Sequence, residues 1–324
     1  MSEFVRNIGI WGFVTRLVCN NADLLQEGRY FDGLVLESLR TDVYRIERLP
    51  DGTAHDAEFV IRDEAGGATR VTVSPGRVEA AGDFSRLERT CPDSRYSLFG
   101  NLGLYFRFAM AEMEEKGLFS FHASALYREE DRRLILLVGG PGTGKTVFLL
   151  AGVPMGYRVL SAEMTHCRID DEGVHFYKGA LFDNIRVGNF VVDFPEAIEA
   201  FRVAIPAVDD VWAKKIAVDM TPVATRDDIV SNPRLVVVFP KVELGRGAPV
   251  ITQVRDPRVQ ARLLFGNLSE KIASSFLLYD EYAVAPFDSP SRAARRHEFV
   301  KRLLPHVLEA KNVLTGPREC MKGV

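Results

Sequence analysis

One stretch constrains this chain more than any other. Residues 133–138 (RLILLV) form a short, mostly apolar run. Gly139-Gly140-Pro141-Gly142-Thr143-Gly144-Lys145-Thr146 follows at once, and then Val147-Phe148-Leu149-Leu150-Ala151. The apolar run suits a strand buried on both faces, and the residues after Thr146 suit a helix. Between them lies the pattern G-x-x-x-x-G-K-[ST], which has odds of roughly one in a hundred of arising by chance in a chain this long. The glycines let the backbone wrap closely around phosphate oxygens, and the N–H groups of the new helix point at the anion. The nucleotide-binding residues on this reading are Gly139, Gly140, Pro141, Gly142, Thr143, Gly144, Lys145 and Thr146. Lys145 is expected to reach the β- and γ-phosphates, and the Thr146 hydroxyl to ligate Mg²⁺. The bland alternative is a glycine-rich strand–helix turn with one surface lysine.

Composition narrows the partners. The 41 Lys and Arg against 44 Asp and Glu give a net charge of −3, so no broad basic surface for nucleic acid is expected. No run of 18 apolar residues occurs, and the N-terminus lacks the basic start and apolar middle of a signal peptide, so no membrane partner is expected. Four cysteines, Cys19, Cys91, Cys167 and Cys320, are scattered without metal-binding or disulfide-framework spacing. A reducing cytoplasm fits them. With 324 residues the chain has room for about two domains.

The first hundred residues read as a small antiparallel, β-rich domain. Its expected strands include 43–49, 58–62 and 69–73, the last two flanking a hairpin loop. A connecting helix is expected over 101–117, with Leu104, Phe108 and Ala111 at helical spacing. The remainder, 118–324, is expected to carry the phosphate loop, strands at 119–126, 157–160, 174–177, 185–192 and 235–239, and a pairing segment at 248–254. Helical periodicity over 291–309, kinked or divided at Pro305, closes the chain. The fold class is thus α/β (α+β), with a mixed sheet.

A phosphate loop alone names no reaction, so the acids that complete it matter. The apolar run Leu235–Phe239 ends in Pro240-Lys241, with no carboxylate until Glu243. There is no N-K-x-D motif and no LSGGQ-type signature, which excludes the GTPase and transporter-ATPase readings. Glu163 stands at the C-terminal end of the next strand, where ligands gather in open α/β sheets. It is a candidate to orient Mg²⁺ or to accept a proton. His166 is read first as a satisfied loop histidine and second as a substrate group.

The order His122-Ala123-Ser124, apolar strand, GGPGTGKT, helix, Gly156-Tyr157-Arg158-Val159-Leu160-Ser161-Ala162-Glu163 resembles the HPr kinase/phosphorylase family. It resembles the stand-alone HPr-kinase-related proteins of bacteria more closely still. The resemblance covers about 117–170 well and the rest in outline. It implies a phosphoenolpyruvate-carboxykinase-like P-loop kinase core and ATP- and Mg²⁺-dependent phosphorylation of a hydroxyl. The acceptor would be a small molecule, a peptide or a protein serine. It also implies that His122 sits beside the transferring phosphoryl group and that Glu163 is the metal-linked acid. Within Phe182-Asp183-Asn184-Ile185-Arg186-Val187-Gly188, it makes Asp183 a further metal candidate and Arg186 a stabiliser of phosphoryl charge. Relatives of that family often assemble, so a homo-oligomer is an expectation as well.

Two departures point to a diverged relative. Ala162 falls where the family usually has its general-base Asp, and the N-terminal domain has no obvious counterpart in the family's regulatory domain. The expected catalytic set is Glu163, His122, Lys145 and Arg186; the expected metal set is Thr146, Glu163 and Asp183. The alternative function is a nucleotide-binding sensor or assembly protein without kinase turnover. Arg255, Arg258 and Arg262 form a later basic cluster, read first as a solvated loop.

Overall fold

The apolar run before the glycine loop is a strand, Arg133–Val138, with every residue after the first buried. The computed structural model describes residues 3–26, 34–36, 39–41, 46–91, 94–322 and 324. They are mixed α/β in content and divide into two compact units. One takes most of the chain up to Gly117 together with Lys271–Arg292; the other takes Leu118–Glu270 and Ala293–Val324.

In the second unit, Arg133–Val138 is an inner strand of a nine-stranded mixed sheet. Phe119–Arg128 pairs antiparallel on one side and Arg234–Val242 parallel on the other. Beyond Phe119–Arg128 come Met164–Asp170, Gly173–Tyr177 and Ile229–Ser231, while the short strand Arg158–Ser161 pairs with Phe119–Arg128 itself. The two-residue period of the strand then serves two cores. Ile135 and Leu137 pack with Val236, Val238 and Phe148 beneath the loop helix Lys145–Gly152. Leu134, Leu136 and Val138 pack with Leu264, Leu268, Phe299 and Leu303 from the helices Pro257–Ser269 and Pro290–Leu303. Both faces being covered explains why the run is apolar without alternation.

Several expected elements change. Residues 307–315 are not helical: the helix ends at Leu303, Pro305 lies in a single 3₁₀ turn, and Val307–Thr315 is a strand parallel to Arg234–Val242. Proline cannot donate to a continuing helix, and an open edge of the sheet takes up the chain beyond it. Val250–Gln253 lies near Arg234–Val242 as expected, pairing with Val307–Thr315, which stands between them. The strand expected over 185–192 is Phe182–Arg186, and Asn189–Asp193 coils into a π-helical turn.

The sheet of the first unit has six strands, in the order 47–49, 4–10, 13–19, 57–63, 77–82, 70–74. It is mixed, not antiparallel, because Ala57–Asp63 runs parallel to both of its neighbours. Its Ala57, Phe59, Val60 and Ile61 are buried, so it takes an inner place, whereas the exposed Arg70–Ser74 takes the edge. The hairpin consequently joins Arg70–Ser74 to Arg77–Gly82, not to Ala57–Asp63. Of the strand expected over 43–49, residues 43–45 lie outside the described residues, and Glu47–Leu49 pairs with Phe4–Ile10.

The expected connecting helix spans Leu104–Glu115 and is buried along almost its whole length within the first unit. The Phe59 ring meets Phe99, Tyr105 and Phe108 there. Buried Arg107 of this helix ties in the distant segment 271–292. Its guanidinium donates to the Leu102 carbonyl at 2.8 Å and to the Lys271 carbonyl, and lies over the Phe276 ring. Among the described residues, no helix is long and apolar enough to cross a membrane. Replacing Arg107 by Met leaves those carbonyls without their charged donor. Arg107→Met is expected to lower unfolding free energy by about 3 kcal/mol in urea titrations and to speed protease cleavage within 271–292. An unchanged urea midpoint would show that the segment is held by other contacts.

Candidate functional site

The glycine loop is shaped by two close constraints. Gly142 and Gly144 hold positive φ values of 80° and 98°, in the left-handed region that favours glycine. A Cβ on Gly144 would come within 2.3 Å of Val242 Cγ2, and the Val242 N–H donates to the Thr143 carbonyl at 3.1 Å. The end of the loop is thus seated on the C-terminal end of Arg234–Val242. Around Gly140 and Gly142, by contrast, an added Cβ would meet no atom within 4 Å. The cradle is open where phosphate oxygens would lie, and the helix Lys145–Gly152 begins directly behind it.

Two strand registers bring the chemistry to this loop. Val138 pairs with Ala123, so His122 comes alongside the start of the loop. His122 in turn pairs with Met164, so Glu163 lies next to it. Lys145 Nζ donates to the carbonyls of Gly139 (2.7 Å) and Gly140 (3.1 Å) and lies 3.3 Å from His122 Nε2. Glu163 Oε1 is 3.8 Å from the same Nε2. The Thr146 hydroxyl donates to Asp183 Oδ2 at 2.5 Å. Burial pushes the Asp183 carboxyl above its ordinary range and the charge of Glu163 adds to this; the Thr146 hydroxyl and the Lys145 ammonium pull the other way without cancelling it.

The structure therefore gathers His122, Lys145, Thr146, Glu163 and Asp183. Arg186 is not among them. It lies on the same strand as Asp183 but at odd spacing, so its exposed side chain leaves from the other face and donates to the Trp212 carbonyl. Arg255, Arg258 and Arg262 are exposed around the start of the helix Pro257–Ser269, where Arg258 grips the capping Asp256. His166 is fully buried in a strand, hydrogen-bonded through Nδ1 to the Ser120 hydroxyl at 2.9 Å, and burial pushes its pKa down to about 3. It is a core histidine. Ala162 is buried in the apolar core beneath the loop helix.

Sequence reading missed two residues. Glu270, at the end of the helix Pro257–Ser269, places Oε1 at 2.9 Å from His122 Nδ1. Asn267, one helical turn earlier, donates to the His122 carbonyl at 3.0 Å. Their spacing of three puts both on one helix face, but nothing in the sequence links that face to a histidine 148 positions away.

No family model matches the sequence, and no curated protein matches it. The donor set therefore has to be judged on its chemistry. Among the described residues no three His, Cys, Asp or Glu side chains gather to hold a metal by themselves. A hydroxyl and one carboxylate, Thr146 and Asp183, nevertheless fit Mg²⁺, which usually takes one or two protein ligands and fills its shell with phosphate oxygens and water.

The raised pKa of Asp183 has a stability consequence. Its folded value lies above its unfolded value, so between the two the native state binds the extra proton and stability falls as pH rises. At neutral pH the full cost of burying the charge is present. Asp183→Asn removes that charge while keeping an acceptor for Thr146. Thermal unfolding is expected to show the variant more stable than wild type near pH 7, with the difference fading as pH falls below the ordinary carboxylate range. A variant less stable at neutral pH would contradict the assignment.

Proposed function

We propose that this protein is an ATP- and Mg²⁺-dependent kinase that transfers the γ-phosphoryl group to a hydroxyl, built on a phosphoenolpyruvate-carboxykinase-like P-loop core. The observation that carries this reading is the hydrogen bond from Thr146 to Asp183 at the mouth of a glycine loop, with Lys145 and His122 beside it. Phosphoryl transfer asks little covalent chemistry of a protein; it asks for positioning and for charge to meet the phosphate oxygens. The loop N–H groups and Lys145 meet those oxygens. Thr146 and Asp183 would hold Mg²⁺, which supplies further charge neutralisation on the phosphates when bound. Glu163 and His122 line the side from which an acceptor hydroxyl would approach. The acceptor on this reading is a hydroxyl of a small molecule, a peptide or a protein serine.

The reading is tested with γ-labelled ATP and candidate acceptors, alongside calorimetric titration of Mg·ATP. Lys145→Ala is expected to lose about 100-fold or more in kcat/KM, the scale of removing one preorganised charge donor. Full transfer by this variant would refute the phosphate-loop assignment.

The buried Ala162 favours a second reading, a nucleotide-binding sensor or assembly protein without turnover, since no carboxylate stands at the position where the resembling family has its base. Mg·ATP binding by wild type, with no transfer or hydrolysis, would select it. Restoring the acid does not separate the two readings cleanly. Asp at 162 would enter an apolar core, so Ala162→Asp is expected to cost roughly 2–4 kcal/mol of stability.

A further inference from the structure

Glu270 is an unusual residue for its place. It terminates the helix Pro257–Ser269, where backbone carbonyls make the local field negative and a carboxylate is disfavoured. Helix stability does not account for it. Its partner is His122, whose ring is almost wholly buried, with 3% of the side chain accessible. An ionised carboxylate can only accept hydrogen bonds and an ammonium can only donate them. Two charged groups face Nε2, Lys145 within hydrogen-bond reach at 3.3 Å and Glu163 beyond it at 3.8 Å; with Glu270 at Nδ1, the ring satisfies its two hydrogen-bond partners as one tautomer, in which Nδ1 carries the proton and Nε2 the lone pair. Asn267 fixes the same residue from the backbone side by bonding its carbonyl.

We propose that Glu270 is a positioning residue that locks His122 in the Nδ1–H tautomer, so that Nε2 receives the hydrogen bond of the acceptor hydroxyl. The inference rests on the kinase reading above. Lys145 is the present donor to Nε2; when its ammonium turns to a phosphate, that lone pair is open to the hydroxyl. The hydroxyl oxygen then bonds to the γ-phosphorus as the bond from phosphorus to the bridging oxygen of ADP breaks. ADP leaves, and the hydroxyl proton passes along its hydrogen bond to Nε2, with the Glu270 carboxylate facing the opposite ring nitrogen. His122 takes in this way the place for which Ala162 offers no carboxylate.

The experiment uses the full chain labelled with ¹⁵N-histidine at pH 7.5, read by long-range ¹H–¹⁵N correlation. His122 is assigned among the six histidines by the signal lost in His122→Gln. Wild type is expected to show the Nδ1–H pattern, and addition of Mg·ATP to shift Nε2 as Lys145 leaves it. Glu270→Ala is expected to lose that pattern, and Glu270→Gln, whose amide oxygen still accepts from Nδ1–H, to keep it. In phosphate release from ATP, with water in the acceptor's place, Glu270→Ala should lower kcat about 10–100-fold, the usual scale for removing a carboxylate behind a working histidine. Its KM for ATP should hold within about twofold and Glu270→Gln should restore most of the rate. An Nε2–H or doubly protonated ring in wild type overturns the proposal, even if the variants fail to fold. So does an unchanged tautomer in Glu270→Ala, or an equal loss of rate in Glu270→Gln with the tautomer kept. Failure of wild type to bind Mg·ATP would instead overturn the kinase reading, and the tautomer would still report on Glu270.

Discussion

The second unit depends on one strand being closed on every side. Arg133–Val138 has a hydrogen-bonded neighbour at each edge and a helical layer over each face. A strand so confined has no freedom to shift register or tilt, because any slip would carry Ile135 and Leu137 out of one core and Leu134 and Leu136 out of the other. Its C-terminal end is therefore a fixed point. The chain leaves it through glycines, and Val242 on one neighbouring strand sets how the loop turns. The register with the other neighbour sets where His122 stands. Loop and histidine are positioned by the same hydrogen-bond ladder, which places them more rigidly than a long connection would.

Around that fixed point the charges are arranged at some expense to stability. Asp183 is held above its ordinary pKa by burial and by Glu163, and Glu270 sits against the field of its own helix. Neither placement helps the fold. Each is met by a polar partner beside the loop: Asp183 by the Thr146 hydroxyl, Glu270 by the His122 ring. Local costs that the fold does not explain, gathered within one loop's reach, are what supports the proposed function.

How much was legible in the sequence varies with the range of the interaction. The strand, the glycine loop and its helix are local, and each was readable from composition and spacing. So were the helix over Leu104–Glu115 and the placement of Glu163 just after a strand. Topology was harder. Ala57–Asp63 and Arg70–Ser74 read as a hairpin because a glycine-containing loop lies between them, yet burial sends the first inward and the second to the edge. Residues 307–309, the start of the strand Val307–Thr315, read as helix because Val307 continued the spacing of Phe299 and Leu303. Pro305 ended that helix, and the edge of Arg234–Val242 claimed the residues beyond it. Arg186 looked like a phosphate ligand by position in a pattern; the alternation of its strand turns it away.

By itself, then, the amino-acid order determined that a strand–glycine-loop–helix turn would form and where, since strand, glycines, lysine and helix are contiguous and their physics is local. Only the tertiary structure decided which side chains face that turn. Asp183 reaches Thr146 from 37 positions away and Glu270 reaches His122 from 148. Contacts at such separations are set by sheet register and helix packing, which the whole chain determines together and no short motif records.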